Sequence, residues 1–282
     1  MKKFLYPFLS VCLFLFLQSC AVSKHKNIDY LTYKGPLTTE QLKLDVFSPK
    51  HKKEKSDVMI FIHGGGWAHG KKSTYKFFGK RLARKGIVGV VIDYPLTPNG
   101  NYNDMALASA KAVKWVKENI SNYGGDPSRI FISGHSAGGH LAALISVKDT
   151  YFDTVGIKNP IRGVVLIDAA GLDMYKYLAD EKDKGQDHYT EAFTKDYAQW
   201  KAASPIYFLH EGIPPMLVYT GGKTFPNITD SNQRFVAQLG KYSPRVDYSV
   251  VKGKHHAAMI FQLYNAHHKI YKDILRFTQE QK

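Results

Sequence analysis

A chain of 282 residues with 44% hydrophobic, 22% charged and 13% aromatic residues can fill a packed core, which excludes an intrinsically disordered protein and leaves room for one large α/β domain or two small ones. The net charge of +15 raises nucleic acid or an anionic surface as partners. The lysines are scattered apart from "KHKKEK" at 50–55 and no nucleic-acid motif accompanies them, so no nucleic acid is expected and the charge reads as a solvated basic surface.

At the N-terminus, Lys2 and Lys3 precede the apolar run "FLYPFLSVCLFLFL", which ends at "LQSC" (17–20). That run is shorter than the roughly 20 residues a spanning helix needs, so it predicts a secretory signal. Its last four residues resemble the bacterial lipobox, with Cys20 as the residue that receives lipid after cleavage and Gln18 as an unusual neighbour. The expectation is a signal peptide over 1–19 and a tether over 20–29. The protein would then be exported to the bacterial cell envelope and held on its membrane by lipid rather than by a span. Cys12 lies in the removed segment, which leaves Cys20 as the one cysteine of the mature chain and no disulfide.

Farther on, "QLKLDVFSP" alternates like a half-buried strand. The short apolar runs "DVMIFI" (57–62), "IVGVVID" (87–93), "RIFISG" (129–134), "RGVVLID" (162–168), "PMLVYT" (215–220) and "VDYSVV" (246–251) read as buried strands. Helices are predicted over 73–86 with Ser73 as its cap, 103–120, 137–147, around 230–240 and near 259–279. Strands alternating with helices predict right-handed crossovers and a mostly parallel sheet covered on both faces. A polar, aromatic-rich stretch at 174–210 interrupts the alternation and reads as an inserted cap. Its Tyr175, Tyr177, Tyr189, Phe193, Tyr197 and Trp200 are candidates for pocket lining or for packing within the cap.

Two strand ends carry chemistry. "GHSAG" at 134–138 stands between a strand and a helix, where small residues permit a sharp turn that projects Ser136 as a nucleophile. The N–H of Ala137 then faces the site of attack at a helix N-terminus. "HGGGW" at 63–67 also follows a buried strand, and its glycines free backbone N–H groups for a developing oxyanion, with Gly65 and Gly66 as donors and His63 holding the loop. A P-loop would need a Lys-Ser/Thr pair that is missing here.

The stretches "HGGGW", "VVIDYPLTP", "NYGGDPSRIFISGHSAGGHLAAL" and "KGKHHAAM" resemble the HGGG-type esterases of the α/β-hydrolase fold, in the hormone-sensitive-lipase-like, feruloyl-esterase-like and kynurenine-formamidase-like branches. The resemblance implies one hydrolase domain over 30–282, with about eight mostly parallel strands, flanking helices and the cap at 174–210. It also implies a serine carboxylic-ester hydrolase working through an acyl-enzyme, with no cofactor and no metal. The substrate would be a small or polysaccharide-linked ester.

A serine hydroxyl needs a base. His255 and His256 follow the last predicted strand, at the same sheet edge as Ser136. The family's G-x-x-H ending, matched here by Gly253 to His256, implies His256, with His255 as the alternative. The acid is the open question. In most relatives it follows the strand matching "PMLVY", near Thr224, where this chain has no carboxylate before Asp230. Asp168, which closes the apolar strand 162–167, is the preferred candidate, because a carboxylate there needs a partner such as an imidazole N–H. Asp230 is the alternative acid, and a dyad oriented by a backbone carbonyl is the third possibility. Asp93 and Asp126 read as structural. Within the enzyme class, an arylformamidase or peptidase is the second reading. A catalytically inactive, surface-anchored binding protein is the reading from another class.

Overall fold

The computed structural model describes residues 22–50, 54–181, 187–243 and 246–281. Eight strands form one sheet: β1 (Val22–Lys34), β2 (Thr39–Pro49), β3 (Ser56–Ile62), β4 (Val88–Ile92), β5 (Gly125–His135), β6 (Ile161–Ile167), β7 (Met216–Gly221) and β8 (Val246–Val251). Their order is β1-β2-β4-β3-β5-β6-β7-β8. β1 and β2 run antiparallel to their neighbours, and the other pairings are parallel.

The helices are α1 (Lys76–Arg84), α2 (Tyr102–Asn119), α3 (Ala137–Val147), α4 (Thr150–Thr154), α5 (Met174–Glu181), α6 (Asp187–Phe193), α7 (Tyr197–Ala202), α8 (Pro226–Leu239), α9 (His256–Phe261) and α10 (Lys269–Glu280). The sheet separates two cores because a strand's side chains alternate between faces. Val58, Ile60 and Ile62 of β3 join the core covered by α2, α3 and α8. Met59 and Phe61 of the same strand join the core covered by α1, α9 and α10.

Three local expectations are corrected. The tether expected over 20–29 is strand from Val22 onward, so the folded domain starts earlier than residue 30. Its backbone pairs with β2, but register shifts between His25 and Ile28 and between Asp29 and Leu31 break the two-residue period that a sequence pattern needs. Ser73 does not cap α1, because a 3-10 turn over Lys72–Tyr75 enters the helix instead. The final helix is two, α9 and α10, and His268, expected within it, accepts a hydrogen bond from the Ile270 N–H at the start of α10. The signal peptide and Cys20 lie outside the described residues.

Between β6 and β7 the stretch 174–210 supplies α5, α6, α7 and a 3-10 turn over Pro205–Phe208. Phe193 and Trp200 are buried there, and Phe193 packs edge-on against Trp67 of the glycine loop. The aromatic content of this insertion thus serves mainly to seat it over the C-terminal ends of the strands.

Candidate active site

The turn from β5 into α3 places Ser136 at φ 54°, ψ −125°, a left-handed conformation that costs a non-glycine residue on the order of 1–3 kcal/mol. The flanking glycines are steric requirements. A Cβ on Gly134 would lie 2.2 Å from the Gly138 carbonyl oxygen, and one on Gly138 would lie 2.1 Å from that of Ile62. The Ser136 N–H donates to the Ile167 carbonyl, and Ala170 N–H donates to the Ser136 carbonyl, which ties the elbow to the end of β6.

Asp168 sits one residue past β6 at φ 49° and is fully buried. Its Oδ1 accepts from Gly221 N–H at 2.7 Å, and its Oδ2 accepts from the Thr224 hydroxyl at 2.5 Å and from His256 Nδ1 at 2.7 Å. Three donors offset the cost of burying the carboxylate. His256 Nε2 lies 2.8 Å from Ser136 Oγ. With Nδ1–H committed to the carboxylate, Nε2 is left as the acceptor facing the hydroxyl.

The structure therefore brings Ser136, His256 and Asp168 into one hydrogen-bonded chain across the ends of β5, β6 and β8. It does not bring Asp230 there. That residue is exposed on α8 and pairs with Arg234, four positions on, at 3.0 Å. Helix α8 begins at Pro226, earlier than the sequence pattern places it, so Asp230 lies inside the helix rather than at its cap. His255, the other candidate base, is an exposed residue just before α9.

The glycine loop is held from several sides. Gly65 at φ 139° and Gly66 at φ 60° adopt conformations open to glycine, and a Cβ on Gly65 would collide with the His69 carbonyl. Ala68 and His69 N–H groups donate to the Gly65 carbonyl. Among the described residues, no backbone bond outside helices and strands uses the N–H of Gly65 or Gly66. Gly66 and Ser136 border one space, and Ala137 is the first residue of α3. A cavity of about 300 Å³ opens there, lined by Gly66, Trp67, Tyr177, Tyr189, Phe225 and Ile228 among others. A cleft of about 360 Å³ lies at the opposite end of the strands, around Ile161 and Pro215, away from this chemistry.

Three histidines support the site without facing the cavity. His63 donates from Nδ1 to the Gly64 carbonyl and stacks on Tyr94, whose hydroxyl donates to the His63 carbonyl. His140 accepts the Trp67 indole N–H at Nδ1 and donates from Nε2 to the Ala203 carbonyl, which latches the glycine loop, α3 and the cap together. His135 stacks on the His256 ring with centroids 4.7 Å apart and hydrogen-bonds its carbonyl. The sequence assigned His135 and His140 no such work. The latch joins residues 73 positions apart, and its only local signal is a tryptophan directly after the glycines.

Burial lowers the pKa of His63 and His140 from 6.5 to about 4, and burial plus the neighbouring His256 lowers that of His135 to about 3. Each folded value lies below the unfolded one, so the stability these residues contribute is complete above pH 6.5 and is lost as pH falls toward the folded values. Three protons taken up on unfolding cost about 4 kcal/mol per pH unit in that window, or about 5 kcal/mol between pH 7 and pH 5. Urea unfolding at the two pH values checks this: the midpoint is expected to fall steeply at pH 5, and an unchanged midpoint would contradict the neutral, buried assignment.

The model of the BD-FAE family matches residues 44–231, two thirds of the chain. Esterase LipQ of Mycobacterium tuberculosis is 32% identical over 72% of this chain and 50% of its own length. The isoprenylcysteine alpha-carbonyl methylesterase ICME of Arabidopsis thaliana is 26% identical over 78% of this chain and 55% of its own. The chain thus spans about half the length of these curated relatives. Among solved structures, inhibited esterase B of Lactobacillus rhamnosis superposes with a TM-score of 0.74 at 18% identity, covering 92% of this chain and 87% of that one. Esterase 2 of Thermogutta terrifontis, phosphoramylated by tabun, gives 0.72 at 21% identity, covering 91% and 94%. The fold is that of the α/β-hydrolases, and the chain belongs to the BD-FAE family.

Proposed function

We propose that the protein is a carboxylesterase that works through Ser136, His256 and Asp168 and is anchored to a bacterial envelope membrane by lipid on Cys20. The observation that carries the enzymatic reading is the unbroken chain from the Asp168 carboxylate through His256 to the Ser136 hydroxyl, beside a cavity lined by Gly66 of the glycine loop. The esterase relatives support the same class of activity.

In this mechanism Ser136 Oγ forms a bond to the ester carbonyl carbon while its proton passes to His256 Nε2. The carbonyl electron pair moves onto oxygen, where the N–H groups of Gly65, Gly66 and Ala137 stabilise it. Collapse of this intermediate breaks the ester C–O bond, and His256 returns the proton to the departing alkoxide. Water then attacks the acyl-enzyme with His256 as base again, releasing the acid and Ser136. Asp168 keeps the imidazole in the required tautomer and stabilises the imidazolium, without itself taking the proton.

The anchoring reading rests on the basic, apolar and "LQSC" segments of residues 1–20. One experiment tests both readings. The chain and its Cys20→Ser variant are expressed in a bacterial host, and the membrane and soluble fractions are assayed with p-nitrophenyl acetate and with formanilide. Ester hydrolysis is expected in the membrane fraction for the unaltered chain and in the soluble fraction for the variant, with formanilide spared. Formanilide turnover exceeding ester turnover would assign an amide-cleaving enzyme, and identical fractionation of the two chains would remove the anchor.

A further inference from the structure

Two stretches that cover one side of the sheet carry no acidic residue, while α10 on that side keeps Asp273 and Glu280 in ion pairs with Lys269 and Arg276. Residues 58–92 contain seven Lys and Arg and no Asp or Glu, and residues 248–272 contain four Lys and no Asp or Glu. The first stretch includes α1 and the second α9, and both helices cover the same side of the sheet. On α1, Lys76, Lys80 and Arg84 recur every fourth residue and so form one ridge along the helix.

The start of β1 extends that ridge. Val22 packs against the core beneath α1, and strand alternation puts Lys24 and Lys26 on the same side as Val22. The positive charges do converge: the Lys80 ammonium is held below its ordinary pKa by burial and then by repulsion from Lys24, Lys76, Lys26 and Arg84. Among the described residues, none of these five cations has an ion-pair partner.

Exposed aromatics flank the other side of the ridge. Arg81 reaches the Tyr264 carbonyl at 3.0 Å, and Phe77 of α1 stacks on the Tyr264 ring with centroids 3.9 Å apart. Tyr264 is 53% exposed and Phe261 47% exposed, and their rings are roughly parallel. A cationic ridge beside solvent-facing aromatic rings matches the layered chemistry of a bilayer surface, with anionic headgroups outside and the apolar boundary just beneath.

We propose that this face, built from Lys24, Lys26, Lys76, Lys80 and Arg84 with Phe261 and Tyr264, docks on a membrane surface rich in anionic lipid. The position of β1 agrees with that occupant. β1 starts at Val22, two residues after Cys20, so a lipid on that cysteine would hold the ridge against the headgroups. The docking does not depend on the lipid, and its test leaves the lipid out.

Residues 22–282 include every described strand and both cores, and as a soluble protein they are suited to vesicle sedimentation. The vesicles are pure phosphatidylcholine, or phosphatidylcholine with about a third phosphatidylglycerol. Binding is expected to the mixed vesicles only, and it is expected to weaken on raising salt from about 0.05 M to about 0.3 M. The variant Lys76→Gln/Lys80→Gln/Arg84→Gln is expected to bind about a hundredfold more weakly, roughly fivefold per cation removed. Lys117→Gln/Lys158→Gln/Lys241→Gln removes the same charge from other exposed positions and is expected to leave binding within about threefold of the unaltered protein. Phe261→Ser is expected to weaken vesicle binding severalfold while leaving binding to a short DNA duplex unchanged. The proposal is overturned by no binding to the mixed vesicles, by equal binding to both kinds, by equal losses in the two triple variants, or by a DNA affinity above that for vesicles. Hydrolysis of a soluble ester, unchanged in every variant, serves as the check on folding.

Discussion

Ser136→Ala is expected to lower kcat for p-nitrophenyl acetate on the order of a millionfold, the cost of removing the nucleophile from a chain of groups that act as a unit. The reasons are geometric. The strained turn fixes Ser136 at φ 54° with its hydroxyl 2.8 Å from His256 Nε2, so the hydroxyl already faces a nitrogen able to accept its proton. No other hydroxyl among the described residues has that relation to His256, and the residual rate should come only from the N–H groups around the cavity. Alanine keeps the backbone and the glycine contacts, so thermal stability is expected to change little. A loss below about tenfold would mean that hydrolysis happens elsewhere on the molecule.

Asp168→Asn is expected to cost kcat about 10⁴-fold, with little effect on KM. The carboxamide is nearly the same size, so the fold survives, but it presents an NH₂ group where His256 Nδ1–H now donates. The imidazole then turns its acceptor toward the introduced amide and its N–H toward Ser136, the wrong tautomer for a base. The Gly221 N–H and Thr224 hydroxyl still need acceptors, which leaves the amide no orientation that satisfies every neighbour. Asp230→Asn serves as the contrast. Its exposed pair with Arg234 contributes little, and kcat/KM is expected to stay within about twofold. Comparable losses in the two variants, measured side by side, would return the acid to the loop after β7.

The architecture was legible in the sequence because both faces of the sheet are covered. Strands such as "MIFI" in β3 and "VGVVI" in β4 are apolar throughout, and the helices between them show a buried stripe. The turn at Ser136 was legible for a steric reason, since only glycine fits at 134 and 138. The carboxylate partner of His256 was harder to read. Asp168 and Asp230 each follow a buried strand at the same sheet edge, and the choice depends on where α8 begins. Pro226 sets that start, a signal present in the sequence and favourable at the first helical position.

The start of β1 was not legible at all. "VSKHKNID" is polar and bulged, and it is ordered by its backbone pairing with β2 and by Lys72, whose ammonium reaches Asn27 and buried Asp45. Those partners lie 45 and 27 residues from Lys72, beyond any local pattern. The loop "YTGGKTFPNITD" has a related history. It carries no carboxylate before Asp230, yet its Thr224 donates to the carboxylate of Asp168. The loop thus still contributes to orienting His256, one hydrogen bond removed.

That Ser136 is a nucleophile activated by His256 and Asp168 is tested most directly by intact-mass and peptide analysis after reaction with a fluorophosphonate, which reports the nucleophile whatever ester the protein prefers. One adduct is expected, on the peptide containing Ser136, absent from Ser136→Ala and formed far more slowly in Asp168→Asn. An unlabelled wild type, or equal labelling of wild type and Ser136→Ala, would contradict it.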